Sequence, residues 1–479
     1  MKKIIVAVAV IAATIVALPL VGGKKAQTEL NELVTMIDDS PGYQASWVTY
    51  QKNWLTTDAT LHIVFTSALD AGEEPESVDL PLTLAIAHGP ILFGHTPSVG
   101  WFDFNVQLTE EQSGYLSEHV EKTGSGELLQ IRGYMNLAGV LTLENKILPF
   151  TATDDDFNLT FDGYQGWGSL HPSGEFRYTG ELGQWSLEAE DVAMNAAAST
   201  LELESDYSKI VRGTNLMPSH LDYQLPSATL KVDDETMTME KMSLVGNVSL
   251  PEEQPVVDMF FSLGFKKGQI DDQTVENFEL EFSYDRISLE LVKQYMKLAN
   301  DMLENPGVEP DPAAYFSNEV VAEALTYKPG LSLNKMNMVL PEGKLKSALS
   351  LSMEPVDGVD PTALMANPLA ALNGLLMDLH VTMDKPLAKK MAEAQAEKSI
   401  TAQMEAEKDA GVVGNYTDQQ ITDMISQEAE MMLQMMVLQG VVVETEDQYT
   451  CDFKLHKGET IVNGKPMPLP LGALLGAGM

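Results

Sequence analysis

The chain has 479 residues, of which 30 are basic and 70 are acidic, so its formal charge is −40. This charge disfavours nucleic acids and anionic lipid headgroups as partners of the exposed surface, because both would be repelled. A hydrophobic fraction of 44 % is ordinary for a globular protein and excludes a disordered chain. The single cysteine, Cys451, excludes an intrachain disulfide and a cysteine-based zinc site.

The first 25 residues carry a membrane-targeting signal. Two lysines precede an uncharged run of 18 residues, and two more lysines follow it. As a helix the run would be ~27 Å long, close to the ~30 Å thickness of a hydrocarbon core. We therefore predict a signal anchor or transmembrane helix over residues 1–25, with membrane-anchor residues Ile4, Val10, Ile15 and Val21. A cleaved signal peptide is the alternative, because small residues end the run.

The next segments predict a helix and then a long series of strands. Residues 26–42 contain apolar residues at Leu30, Leu33 and Ile37, a helical spacing that predicts a stalk helix leaving the membrane. Residues 43–285 form a mainly-β region, in which apolar and polar residues alternate. Such strands have one buried and one solvated face, as in antiparallel sheets.

The remaining chain mixes helices and strands. We predict a helix pair plus strands over residues 286–383, a helical hairpin over 384–440, and closing strands with an irregular tail over 441–479. The capping box at 417–420 predicts the start of the second hairpin helix. The predicted fold class is α+β: an N-terminal membrane helix, then an extensive antiparallel, curved β-sheet with two inserted helix pairs.

Motifs that carry chemistry are absent from the sequence. It has no nucleophile elbow, no phosphate-binding loop, no dinucleotide fingerprint and no zinc-protease motif. We therefore predict that the protein is not an enzyme and has no catalytic residue, cofactor or metal site. A hydrolase that uses two carboxylates stays an alternative, because carboxylates far apart in sequence can meet in space.

Methionines are concentrated in the second helix of the predicted hairpin. Met424, Met431 and Met435 form a candidate surface for a partner or a ligand, because methionine side chains adapt to irregular apolar surfaces. Ordinary packing in the core or in a dimer is the alternative.

Four short segments together resemble a known family. They are Gly23-Lys24-Lys25, Tyr50 to Thr57, His88-Gly89-Pro90 and Gly458 to Met467. With these segments in this order, the chain resembles the YdgA-like family of bacterial envelope proteins, a domain of unknown function. It departs from the family at Asn53, where the family pattern has glycine. The resemblance implies a single-pass anchor in the inner membrane of a Gram-negative cell, a periplasmic body and no catalytic residues, with His88 in a structural turn. If the N-terminal segment is cleaved, the body is secreted to the periplasm.

Two hypotheses for function follow. The first is a non-enzymatic, membrane-anchored protein that binds a lipid-like ligand on an apolar face of its sheet. The second is a structural or assembly protein of the envelope that acts by self-association or by binding a protein partner. Both hypotheses predict contact with the membrane through the N-terminal helix, and neither involves nucleic acid.

Overall fold

A computed structural model of the chain describes residues 21–38, 40, 42–67, 76–93, 97–109, 120–123, 125, 127–154, 157–212, 214, 216–233, 235–270, 273–304, 311, 314–355, 373–409 and 417–467. The chain divides into two compact units. Unit 1 comprises Met1–Val257 and Leu289–Ser317, and unit 2 comprises Asp258–Ser288 and Asn318–Met479.

The sheet of unit 1 is a long antiparallel meander. Its strands are β1 (Tyr43–Lys52), β2 (Thr56–Ser67), β3 (Glu76–His88), β4 (Gly100–Leu108), β5 (Val120–Lys122), β6 (Leu129–Asn136), β7 (Leu141–Ile147), β8 (Phe150–Thr153), β9 (Phe157–Phe161), β10 (Tyr164–Leu170), β11 (Glu175–Leu182), β12 (Trp185–Ala189), β13 (Val192–Ala196), β14 (Ser199–Asp206), β15 (Ser219–Val232) and β16 (Glu235–Ser249). Pairing follows the order β1-β2-β3-β4-β6-β7-β10-β11-β14-β15-β16. A second series, β5-β8-β9-β12-β13, joins the second half of β15.

The two series are halves of the same long strands, separated by a line of breaks. The breaks fall at residues 148–149, 162–163, 183–184 and 197–198. Ile147 pairs with Tyr164 on one side and Phe150 with Phe161 on the other, so the register continues across the line. The alternation changes phase there, because the apolar residues of β11 are even-numbered and those of β12 are odd-numbered. The apolar phase therefore shifts by one residue while the pairing register stays the same, and we call this feature the break line.

A helix packs on one face of the first strands. Helix α1 spans residues 21–38 in the described part of the chain. Its residues Ala26, Leu30 and Val34 are buried in a core with side chains from β1, β2, β3, β4, β6 and β7. The predicted helix is therefore present, and it belongs to this core instead of standing free as a stalk. Unit 1 also contains a second helix, α2 (Leu289–Glu304), and a 3-10 turn, Tyr207–Lys209.

Unit 2 has a smaller antiparallel sheet and a helical hairpin. Its elements are β17 (Val256–Ile270), β18 (Gln273–Ser288), α3 (Asn318–Thr326), β19 (Gly330–Leu340), β20 (Gly343–Met353), β21 (Leu375–Asp384), α4 (Lys385–Asp409), α5 (Asp418–Leu438), β22 (Val443–Glu444), β23 (Gln448–His456), β24 (Glu459–Val462) and β25 (Lys465–Pro466). Pairing runs β18-β19-β20-β21-β23, and the other edge of β23 pairs with β22 and β24. Helix α4 contacts β20, β21 and β23.

The predicted predominance of antiparallel strands is confirmed, whereas the curvature of the sheet and the membrane helix stay predictions. Most of the described residues lie in antiparallel strands, and five helices accompany them, including two pairs between strands. The capping box is present, since the Thr417 side chain accepts from the Gln420 backbone N–H and the Gln420 side chain accepts from the Thr417 N–H. The second helix of the first pair is short and spans Asn318–Thr326. The predicted membrane helix falls almost entirely outside the described residues.

Candidate functional site

The sheet of unit 1 has an apolar face with a continuous set of large side chains beyond the core of α1. Tyr178, Leu203 and Leu221 pair across β11, β14 and β15, and Leu201 pairs with Tyr223. We call these five residues, together with Phe176, Leu244 and Val248, the apolar face. All eight side chains are half-buried, and on β11 and β14 the residues between them, at 177, 202 and 204, are exposed. Within the described residues, the core of α1 ends at Leu170 of β10.

Aromatic rings cover glycines at the margin of the apolar face. A Cβ on Gly166 would lie 2.4 Å from Asn145 Oδ1 and would overlap the Tyr178 hydroxyl. That hydroxyl donates to Asn145 Oδ1 at 2.8 Å and also contacts the Tyr164 hydroxyl. Burial is the main cause that raises the pKa of Tyr164, and the contact with Tyr178 raises it further. The hydroxyls of Tyr164 and Tyr178 and the amide of Asn145 thus bond to one another at this margin.

The opposite face of the same sheet holds an open pocket of ≈ 850 Å³, whose mostly apolar lining includes four charged side chains. Asn105, Arg132, Glu144 and Trp167 lie directly opposite one another on β4, β6, β7 and β10 and line its floor. Other lining residues add two further carboxylates and one exposed aromatic ring, namely Asp58, Asp103 and Phe93. Among the described residues, buried Nε of Arg132 has no hydrogen-bond partner. The pocket therefore offers donors and acceptors to a polar ligand.

Sequence reasoning did not identify this pocket. Its residues come from six strands and the β3–β4 loop, and each of these contributes only two or three of them. Alternation predicts that such residues point to the solvated side, but it does not tell which strands are neighbours. The informative signal is the pairing order, which the sequence does not contain.

The predicted methionine surface is exposed on α5. Met424, Met431 and Met435 are 36, 48 and 53 % exposed. Their spacing of seven and four residues places them in one stripe of the helix. The core of the hairpin uses a different side of α5, where Ala429 packs against α4 residues Ala392 and Ala396. The stripe is thus outside the hairpin core, and its role with a partner stays a prediction.

The predicted anchor residues cannot be placed together. Ile4, Val10 and Ile15 lie outside the described residues, and Val21 is exposed at the first described position of α1. Across the part of the chain that the structure describes, we find no helix with the length and apolar character of a membrane span.

Three of the four segments that suggested a family meet at one end of the unit 1 sheet. A Cβ on Gly23 would lie 2.6 Å from Lys52 Cε and 2.8 Å from His88 Cε1. The His88 backbone N–H donates to the Leu55 carbonyl at 2.9 Å. His88 and Thr57 are both 1 % exposed. His88 is therefore a buried strand end that packs against the beginning of α1.

The fourth segment has a structural role in unit 2. Asn463 adopts a positive φ of 50° between β24 and β25. Its side-chain amide donates to the carbonyls of Gly440 and Val441, and its Oδ1 accepts from the Asp452 N–H. Asn463 thus ties the chain after α5 to the closing strands.

Three side chains of unit 2 are arranged like a catalytic triad, with a hydroxyl, an imidazole and a carboxylate in a row. Thr382 Oγ1 lies 3.2 Å from His380 Nε2, and His380 Nδ1 lies 2.6 Å from Asp452 Oδ1. His380 and Asp452 are more than half exposed on neighbouring strands. An exposed cross-strand pair of this kind is typical of sheet stabilisation. No group of three or more potential ligands among the described residues could hold a metal ion.

A comparison with protein families finds a match over almost the whole chain. The family DUF945, described as a bacterial protein of unknown function, matches residues 1–470. No curated protein and no solved structure shows significant similarity to the chain.

Proposed function

Because the chain belongs to the bacterial family DUF945, for which no function is known, we propose a function from its own structure. The protein is a non-enzymatic binding protein of the bacterial envelope. Residues 1–25 tether it to the inner membrane, with the body in the periplasm, and the apolar face of unit 1 takes a lipid-like ligand. The narrower likeness to the YdgA-like proteins is part of this proposal, and the short segments around Gly23, Asn53, His88 and Asn463 support it.

The half-buried apolar face is the observation that carries the proposal. A strand of eight residues such as β11 is about 26 Å long, and the four spacings from β10 to β16 give a width of about 19 Å. One leaflet of a hydrocarbon core is about 15 Å thick, so an acyl chain is shorter than these strands. Covering half-exposed leucine and tyrosine side chains with hydrocarbon is favourable by roughly 25 cal/mol per Å².

The pocket on the other face suits a lipid chain poorly because charged side chains lie in its lining. Contact with hydrocarbon would remove water from Asp58, Asp103, Glu144 and the Arg132 guanidinium. Burying charged groups without new partners costs several kcal/mol for each group, on the order of the whole gain from an acyl chain. The apolar face is therefore the better candidate for a lipid-like ligand.

Site-specific photo-crosslinking in intact cells tests the proposal. A photoreactive residue at Leu203 projects from the apolar face, and the same residue at Glu202, its exposed neighbour, is the matched control. We expect lipid adducts at position 203 and not at 202, measured by mass spectrometry of the purified full chain. Adducts of position 203 with another part of the same chain, or equal lipid labelling at both positions, would contradict the proposal.

The methionine stripe of α5 favours a second candidate function, assembly with a protein partner or a second copy. Large, exposed and adaptable apolar side chains are typical of binding surfaces. We expect Met431→Gln with Met435→Gln to abolish crosslinked complexes in cells. Met391→Gln, which changes an exposed methionine of α4, is the control and should leave them intact. Complexes that survive in both variants would remove this candidate.

A further inference from the structure

Six large apolar side chains are at least half exposed at one end of the unit 1 sheet. They lie at the first described residue of α1, in the β1–β2 turn, in the β3–β4 loop and in the β6–β7 turn. They are Val21, Trp54, Ile91, Phe93, Val99 and Leu137, with exposures from 50 to 69 %. We call these six residues the rim. In an antiparallel sheet the turns after β1, β3 and β6 emerge at the same end, and β1-β2-β3-β4-β6-β7 are consecutive neighbours.

Hydrogen bonds and close packing hold the rim as one surface. The Tyr134 hydroxyl donates to the Val99 carbonyl at 2.6 Å, and Trp101 Nε1 donates to the Leu137 carbonyl at 3.1 Å. The start of α1 is seated beside them, because a Cβ on Gly22 would lie only 2.7 Å from the Trp101 carbonyl oxygen. The exposed side chains therefore project from fixed backbone.

The charge of the rim differs from that of the rest of the chain. About one residue in seven is acidic overall, yet no aspartate or glutamate occurs in residues 21–28, 50–57, 86–102 or 134–143. Lys24 and Lys52 are exposed in these segments. Anionic lipids repel the acidic body but not this end, so the charge pattern favours an orientation with the rim toward a bilayer.

We propose that the rim rests on the surface of the bilayer, with Trp54 and Phe93 in its interfacial layer. Tryptophan prefers this layer, phenylalanine buries its ring at the boundary between headgroups and acyl chains, and nearby lysines interact with anionic headgroups. The chain itself argues for a lipid surface as the occupant, because α1 leads back from Val21 into the uncharged run that begins at Ile4. The inference rests on the proposed membrane tether and adds a second contact, which fixes how unit 1 stands on the membrane.

Spin labels on the full-length protein test the proposal. Cys451 is the only cysteine, so Cys451→Ser gives a background for single labels. We place them at Phe93→Cys and Leu137→Cys in the rim, and at Phe65→Cys and Val78→Cys as controls. The controls are exposed apolar positions of β2 and β3. They pair with each other at the opposite end of these strands, about 30 Å from the rim.

The labelled protein is reconstituted into vesicles of phosphatidylethanolamine and phosphatidylglycerol. We expect the two rim labels to collide more with oxygen, which concentrates in lipid, than with a water-soluble nickel complex, and the two control labels to show the reverse. Vesicle flotation on the same samples reports the tether separately. Protein that floats while its rim labels behave like the controls would overturn the rim contact and leave the tether intact. Rim labels shielded from both reagents would mean a protein partner and would also overturn it. Protein that does not float would overturn both proposals.

Discussion

Gly22→Ala is the most direct perturbation of the contact between α1 and the sheet. Replacing a helical glycine by alanine is ordinarily worth about 1 kcal/mol of stability. Here the added methyl carbon would lie 2.7 Å from the Trp101 carbonyl oxygen and 2.9 Å from the Gly89 nitrogen. These two backbone atoms also form a hydrogen bond of 3.1 Å with each other. The methyl group therefore meets atoms that cannot rotate away.

The expected change in the free energy of unfolding combines three contributions. Overpacking costs roughly 1–3 kcal/mol, and weakening the strand hydrogen bond costs about 1 kcal/mol. After the helix gain is subtracted, we expect Gly22→Ala to lower the free energy of unfolding by roughly 1–3 kcal/mol. A unit of this size loses about 2–4 °C of Tm per kcal/mol.

Urea unfolding of the full chain, followed by tryptophan fluorescence, measures the effect, because Trp101 lies at the contact. Thr28→Ala, at an exposed position of the same helix, is the control and should change the midpoint little. A Gly22→Ala protein that is more stable than the parent by about 1 kcal/mol would refute the reasoning, since that is the gain of an unconstrained helical glycine.

Three further changes probe other contacts. Asn463→Ala removes three hydrogen bonds and places alanine at a positive φ. We expect it to lower the free energy of unfolding by about 2–4 kcal/mol. Asn463→Gly should cost about 1 kcal/mol less, because glycine tolerates that φ. The hydrogen bond from the Gln448 amide is the main cause that lowers the pKa of Asp384. The ionised Asp384 therefore stabilises the fold above the ordinary aspartate pKa, and this stabilisation is lost as the pH falls through the lowered pKa of the folded state. Unfolding midpoints between about pH 3 and pH 5 should thus depend less on pH in Asp384→Asn. Tyr178→Phe leaves Asn145 without its donor and should lower Tm by a few degrees, corresponding to about 1–2 kcal/mol.

The sequence predicted the strands well because most of them have one solvated face. The alternation around Phe102 and Phe104 reports directly that one side is buried, and the structure places both side chains in the core of α1. Pairing could not be predicted, since β4 skips β5 to reach β6. The break line was also missed. Residue pairs such as Leu148-Pro149 and Asp162-Gly163 mark single breaks in the sequence, but only the strand pairing shows that the breaks align across the sheet.

Candidate sites on one element could be predicted from the sequence, whereas sites that combine several strands could not. The stripe around Met431 was found from helical spacing, which needs only local sequence. The apolar face could not be predicted without knowing that β11, β14 and β15 are adjacent. Each of these strands contributes only two side chains to it, such as Phe176 and Tyr178 of β11. The rim is harder still. Trp54 and Phe93 occur in short loops without any periodicity, and only the common end of their strands brings them together.

The rim and the apolar face are related by strand direction, and this relation gives a prediction of its own. β7 begins directly after the rim residue Leu137, and its neighbour β10 ends at the same level, where Leu170 pairs with Leu141. β11 therefore starts near the rim, with Phe176 closest to it, and the break line closes the far end of β11 after Leu182. Beyond that line the alternation shifts by one residue, which moves apolar side chains to the opposite face of a regular sheet.

A lipid chain that enters from the bilayer should accordingly follow the apolar face from Phe176 toward the break line and no further. We expect a photoreactive residue at Phe176 to give lipid adducts in cells, and one at Leu187, which is apolar but lies beyond the line in β12, to give few. The two positions are both half-buried in the free protein, so the comparison measures position along the strand more than exposure. Stronger labelling at Leu187 than at Phe176 would mean that lipid does not enter from the rim, even if the apolar face binds it.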